Sequence, residues 1–365
     1  MALTRRRVLL TLFTVLSLIA VPTNAAQIFR PSSHRRPHRS PEEQHLDRDV
    51  TERSTEKQPL VSGEPPDSVS QREAESTSSA DEEPILKKLR LNVRDSVTDD
   101  QCADPSTILD PCDGYEGPRQ SPIDIDPCGN HVEVDRSVLR FKNIDSTPQS
   151  IQLLNTGNRV MGAVTWANHI PTTISGGRLP GTFVFEIFDM HWGANNSYGS
   201  EHTINGYRYP AELHLGFRNI KYGSLEEAAA NVDGLAGIAV FLDLHSGSAG
   251  RGIAPLAQSL YEIKEAGSSS QVASPPNMKQ LLPKRLDRYV AYTGSPTAVI
   301  PCWGNVVWYV MLEPIRILER ELELLRDLRN GSGHRLCQST IRALQPVSSR
   351  RLYTKQRFLR CLTRH

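Results

Sequence analysis

Net charge, repetition and long apolar runs are all scarce in this 365-residue sequence. The 42 Lys+Arg are balanced by 41 Asp+Glu, for a formal charge of +1. No field of one sign is available to favour nucleic acid or an acidic surface as partner. No internal repeat is present, which argues for one domain rather than a stacked array. Beyond residue 21 no stretch is apolar enough to span a bilayer, so no membrane span is expected. The C-terminal tail, residues 357–365, is basic, unlike the apolar tail of a lipid-anchor signal.

The apolar run that does exist lies at the start. Arg5-Arg6-Arg7 precedes Val8 to Val21, and the small residues of Pro22-Thr23-Asn24-Ala25-Ala26 follow. A basic start, a short apolar core and a small-residue exit describe a secretory signal peptide over residues 1–26. The run is about 14 residues, short of the ~20 a spanning helix needs. The expectation is a secreted protein in the secretory pathway or outside the cell. Six cysteines (Cys102, Cys112, Cys128, Cys302, Cys337, Cys361) suit an oxidising compartment, but spacing does not choose among their pairings. The triplets Asn195-Asn196-Ser197 and Asn330-Gly331-Ser332 are acceptors for N-glycosylation in an exported chain.

Residues 27–106 are rich in Ser, Glu, Arg, Pro and Asp and carry too few large apolar side chains to offset the entropy of ordering. They read as a disordered, low-complexity arm. Within it Ile85 to Leu91 has the pattern of a short amphipathic turn, and His34 and His38 sit among arginines as part of a solvated basic arm. The texture changes beyond Cys112. Strands are expected over Val138–Phe141, Ser150–Leu154, Thr182–Phe188, Ala211–Leu215, Gly237–Leu242 and Val306–Met311, punctuated by Gly, Asn, Pro and Ser. The best helical periodicity runs from Pro314 to Arg329. The fold class is mainly β (α+β): one sheet-dominated domain with peripheral helices over residues 107–356.

Chemistry concentrates in three short segments. Asp189 and His191 stand two residues apart, so on a strand they share a face; Glu212 and His214 do the same on a second strand. If those strands pair, Asp189, His191 and His214 converge. A carboxylate and two imidazoles are competent zinc ligands that leave a fourth position for water. Buried histidines satisfied by hydrogen bonds are the alternative.

The wider string carries a resemblance. Gln120-Ser121-Pro122-Ile123-Asp124-Ile125, His191-Trp192-Gly193, Gly199-Ser200-Glu201-His202-Thr203, Tyr209-Pro210-Ala211-Glu212-Leu213-His214 and Gly294-Ser295-Pro296-Thr297 resemble the α-carbonic anhydrases in order and spacing. The resemblance implies a large twisted, mostly antiparallel sheet with a conical cavity and zinc on three histidines at its floor. His191 matches the second ligand and His214 the third. Glu212 matches the acid that steadies a ligand, Thr297 the threonine that orients the attacking hydroxide, and Glu201 the carboxylate behind it. Cys112 and Cys302 match a disulfide of exported members. Trp192, Trp308 and His202 read as core packing.

The pattern departs from the family at several places. The first ligand position holds Asp189, whose oxygens lie closer to the backbone than an imidazole's far nitrogen and whose charge weakens the pull of a metal on its water. Ile187 stands where a glutamine steadies the first histidine. Asn158 stands where fast members carry a proton-shuttling histidine, and an amide does not titrate near neutrality. Gly216 and Gly237 replace valines that wall the carbon dioxide pocket, which strips apolar surface from it. Ala298-Val299-Ile300-Pro301 follows Thr297 with one extra residue before Cys302.

Three functions are therefore expected in turn. The first is a carbonic-anhydrase-related protein whose zinc is weakened or absent and whose surface or old cavity binds an unknown protein partner. The second is a zinc-dependent carbonate dehydratase of reduced power, acting on carbon dioxide and bicarbonate through Asp189, His191 and His214. In the third the arm acts in targeting or matrix association.

Overall fold

Alternating apolar and polar residues between Gly- and Pro-rich turns leave little choice but strands, and the computed structural model of the chain shows fourteen among the described residues. It describes residues 117–166, 170–248, 250–297, 305–339 and 341–355, all within one compact unit. The signal segment, the arm, the tail and the loop after Thr297 lie outside the described residues, as do Cys112 and Cys302. Cys128 and Cys337, for which the sequence offered no pairing, are both disulfide-bonded.

In chain order the strands are β1 (Asp124–Ile125), β2 (Val132–Val134), β3 (Leu139–Lys142), β4 (Ser150–Asn155), β5 (Val160–Thr165), β6 (Thr173–Gly176) and β7 (Thr182–Trp192). They continue with β8 (Thr203–Ile204), β9 (Ala211–Asn219), β10 (Leu235–Leu244), β11 (Ser269–Gln271), β12 (Tyr289–Gly294), β13 (Val306–Ile317) and β14 (Leu352–Thr354). Twelve of them form one mixed sheet with the order β11-β4-β5-β7-β9-β10-β13-β12-β14-β2, β3 and β6 branching off at β7; β1 and β8 pair separately. Within that sheet only β10–β13 and β14–β2 run parallel. The expected mostly antiparallel architecture is present.

The long central strands β7, β9, β10 and β13 are the near-continuous apolar runs of the sequence. Their inward residues, including Phe185, Phe188, Leu213, Leu215, Val240 and Tyr309, form the main core and a smaller cluster beside it. Polar residues inside these runs (Asp189, His191, Glu212, His214) are therefore exceptions that the core must accommodate. A polar group carried into such an interior needs a partner.

The helix expected over Pro314–Arg329 is shorter, Glu319–Arg326. Residues 314–317 complete β13 instead. Pro314 falls at a register shift in the β10–β13 ladder, where its missing N–H costs no ladder bond. The helix begins once the Glu321 carboxylate accepts the Leu318 N–H at 3.0 Å. Strands β1, β2, β5, β6, β8, β11, β12 and β14 were not anticipated. β5 is buried along most of its length and so shows no alternation.

Candidate metal centre

Strands β7 and β9 are antiparallel neighbours with Asp189 opposite His214 and His191 opposite Glu212. That register, together with the two-residue side-chain period, puts all four side chains on one face. Asp189, His191 and His214 are buried, and their ligating atoms lie within 4.8 Å of one another. Asp189 Oδ2 is 3.0 Å from His191 Nε2, and Asp189 Oδ1 is 4.0 Å from His214 Nδ1.

The far nitrogen of His214 is held from behind, its Nε2 lying 2.7 Å from Glu212 Oε1. Glu212 in turn meets His202 twice, at Nδ1 (2.6 Å) and at the backbone N–H (2.8 Å). His202 Nε2 reaches the Tyr292 hydroxyl at 2.7 Å, and that hydroxyl reaches Ser121 Oγ at 2.7 Å. Glu212 thus orients a ligand and is itself oriented. His202, expected only to pack, is a working member of this chain, and Tyr292 and Ser121 are members the sequence reading did not single out. The signal for Ser121 lay in the Gln120–Ile125 string.

Glu201 approaches the same centre from the turn before β8. Its Oε1 accepts the Arg342 N–H at 2.9 Å. Its Oε2 is buried without a hydrogen-bond partner and lies 3.7 Å from His191 Nε2 and 4.0 Å from His214 Nδ1. Thr297 is buried at the edge of the described residues.

Charge in the centre is strongly coupled. Burial opposes ionisation of Asp189, yet His191, His214 and Arg159 together hold its carboxyl down at about 2. Burial likewise opposes a charged imidazole at His214, and Glu212, Asp189 and Glu201 override it to raise the group to about 9. Glu212 is held well below the usual carboxylate range, burial being outweighed by His202 and His214. The arginine at position 159, which the sequence reading passed over, is buried in the same place: its Nη1 lies 3.8 Å from Asp189 Oδ2. Asn158 accepts from Thr156 Oγ1 at 2.7 Å and from Arg159 Nε at 3.3 Å.

The space beside the two glycines is occupied. A Cβ on Gly216 would come within 2.8 Å of Ile187 Cγ1, and one on Gly237 within 2.6 Å of the Trp308 ring. Both positions are filled by neighbours. Ile187 is the cross-strand partner of Gly216, so the loss of a polar support and the loss of a wall side chain are one steric exchange.

The donor set suits a tetrahedral divalent ion. Bonds of ~2.0–2.1 Å imply donor–donor edges of about 3.3 Å, and the separations between Asp189, Glu201 and the two imidazoles bracket that value. Small side-chain shifts would suffice.

A large mixed sheet with a buried cluster of imidazoles and a carboxylate on its central strands defines a β-sheet protein with a candidate metal centre. The family profile of the eukaryotic-type carbonic anhydrases matches residues 107–356. The chain is 36% identical over 214 residues to carbonic anhydrase 7 of Mus musculus, covering 58% of this chain and 78% of that protein. It is 33% identical over 241 residues to mitochondrial carbonic anhydrase 5A of Homo sapiens, covering 65% and 76%. The chain belongs to the eukaryotic-type, or α-, carbonic anhydrase family.

Proposed function

We propose that this chain is an exported carbonic anhydrase-like protein with an impaired zinc site and little or no carbon dioxide hydration. One observation carries the reading: the first ligand position is a carboxylate whose charge its neighbours already answer, Asp189 Oδ2 lying 3.0 Å from His191 Nε2 and 3.8 Å from Arg159 Nη1. An ion entering there must separate a carboxylate and an imidazole that already stabilise each other. His191 Nε2, His214 Nδ1 and an Asp189 oxygen are the atoms that would hold zinc, with Glu212 fixing His214 from behind. When bound, zinc supplies the Lewis acidity that ionises water near neutral pH. The extra negative charge of Asp189 works against that ionisation. Asn158, tied to Thr156 and Arg159, offers no titrating group to carry the proton away.

A second reading, a zinc-dependent carbonate dehydratase of reduced activity, draws support from the gathering of Asp189, His191 and His214, whose ligating atoms lie within 4.8 Å of one another. Measuring zinc per chain and carbon dioxide hydration on the same purified full-length protein separates the two. Substoichiometric zinc with hydration at the buffer rate supports the first. One zinc per chain with sulfonamide-sensitive hydration establishes the second and removes the first. In the first reading the retained fold serves to bind a protein partner, and the arm over residues 27–106 serves targeting or matrix association. Export itself rests on the signal-like residues 1–26 and the bonded state of Cys128 and Cys337. N-terminal sequencing of the mature protein from culture medium would show a start near residue 27; an intact Met1 would count against export.

A further inference from the structure

Arg159 stands between the β4–β5 turn and β5, with its carbonyl accepting the Thr156 N–H at 3.0 Å. Met161 pairs with Asp189 across the β5–β7 ladder, so Arg159 is delivered to the rim of the strand that carries Asp189. Its side chain is only 5% exposed. The guanidinium donates from Nε to Asn158, while Nη1 is buried with no hydrogen-bond partner and faces Asp189 at 3.8 Å. That gap exceeds a hydrogen bond, so the two groups meet through charge. Glu201 is a second carboxylate within electrostatic reach of the same guanidinium. Burying a guanidinium with an unsatisfied N–H is costly unless opposite charge answers it. Asp189 and Glu201 supply that charge, and both are also the carboxylates that face the would-be metal position.

We propose that Arg159 is the residue that sets the metal affinity of this centre: a fixed positive charge, matched to Asp189, that opposes a divalent cation and holds the zinc affinity of the site down. The proposal rests on the reading of the cluster as an impaired zinc site and explains part of the impairment. Relative to three imidazoles, Asp189 adds one negative charge and Arg159 one positive charge at a few ångströms. The net charge met by an arriving ion is restored, so the attraction a carboxylate ligand would add is cancelled. The Arg side chain suits this task because it stays protonated in any protein environment. It is a positioning and affinity-setting group, with no role in contacting substrate.

The test uses the full chain and four forms: unmodified, Arg159→Gln, Arg159→Lys and Arg159→Gln combined with Asp189→His. Zinc dissociation constants are measured by competition with a chromophoric chelator, and thermal melting is followed in EDTA and in excess zinc. Arg159→Gln is expected to bind zinc at least tenfold more tightly than the unmodified chain. It should also melt lower in EDTA, where Asp189 and Glu201 have lost their cation, and recover in zinc. A merely structural arginine predicts the lower melting point without the recovery. Arg159→Lys keeps the charge and should stay within about threefold of the unmodified affinity. The double variant should bind at least as tightly as Arg159→Gln, since its site then lacks the opposing charge and carries three imidazoles.

Unchanged or weaker zinc binding in Arg159→Gln would overturn the proposal. So would equal tightening in Arg159→Lys, or an Arg159→Gln chain that stays unfolded with zinc present. The zinc content and hydration of the unmodified protein test the functional reading separately, because the ratio between variants is defined whichever way that measurement falls.

Discussion

At the scale of single residues, Asp189 is bounded by an imidazole at 3.0 Å and a guanidinium at 3.8 Å, and both decide what a replacement can do. Asp189→His supplies the third imidazole and removes the contact that closes the cluster. Combined with Arg159→Gln, it should bring zinc per chain toward one in metal analysis after dialysis; failure to rise would place the obstacle outside this pair. The two glycosylation triplets also part company here. Asn195 is exposed in its turn. Asn330 is buried, and its Oδ1 accepts the Ser332 and His334 N–H groups at 3.0 and 2.9 Å. Glycopeptide mapping of the protein expressed through a secretory host should therefore find sugar on Asn195 and none on Asn330. The sequence made His191, His214, Glu201 and Glu212 legible because their order and spacing are distinctive. It hid Arg159, which no spacing rule marks and which matters only because a turn folds it inward.

At the scale of elements, β7 and β9 do most of the work, and their pairing explains two substitutions that looked separate. Ile187 occupies the volume a side chain at 216 would need, so Gly216→Val alone overpacks the sheet. A loss of about 1–3 kcal/mol in urea unfolding is expected. In an Ile187→Ala background the same change should cost under half as much, since the space is then vacant. An equal loss in both backgrounds would mean that Ile187 is not the obstacle. Strands β4, β7, β9, β10 and β13 were readable from their apolar runs and turn residues. The extra length of β13 was not, because Pro314 and the leucines after it imitate a helix start. Only the register shift in the ladder shows how a strand can carry that proline.

At the scale of the whole molecule, ligation and stability are linked. An ion that binds only the folded chain adds RT ln(1 + [L]/Kd), about 2.7 kcal/mol at 100 times Kd. For a domain of this size that is a melting shift of roughly 5–10 °C. With micromolar zinc, the unmodified protein should shift by less than about 2 °C and the chain carrying both Asp189→His and Arg159→Gln by the larger amount, read by differential scanning fluorimetry against an EDTA control. A large shift in the unmodified protein would speak for the dehydratase reading. The family profile begins at residue 107, so removing residues 1–106 should leave the melting temperature of the domain within about 2 °C.

The sequence by itself determined the fold class, the family and the missing imidazole, because alternation, turn residues and motif spacing are local and survive without coordinates. Tertiary structure alone decided what surrounds Asp189. The carboxylate meets His191 and Arg159, His202 supports Glu212, and Ile187 and Trp308 fill the places of the lost valines. Each of those depends on which strands lie side by side and in what register, and a buried charge takes its meaning from neighbours distant in the chain.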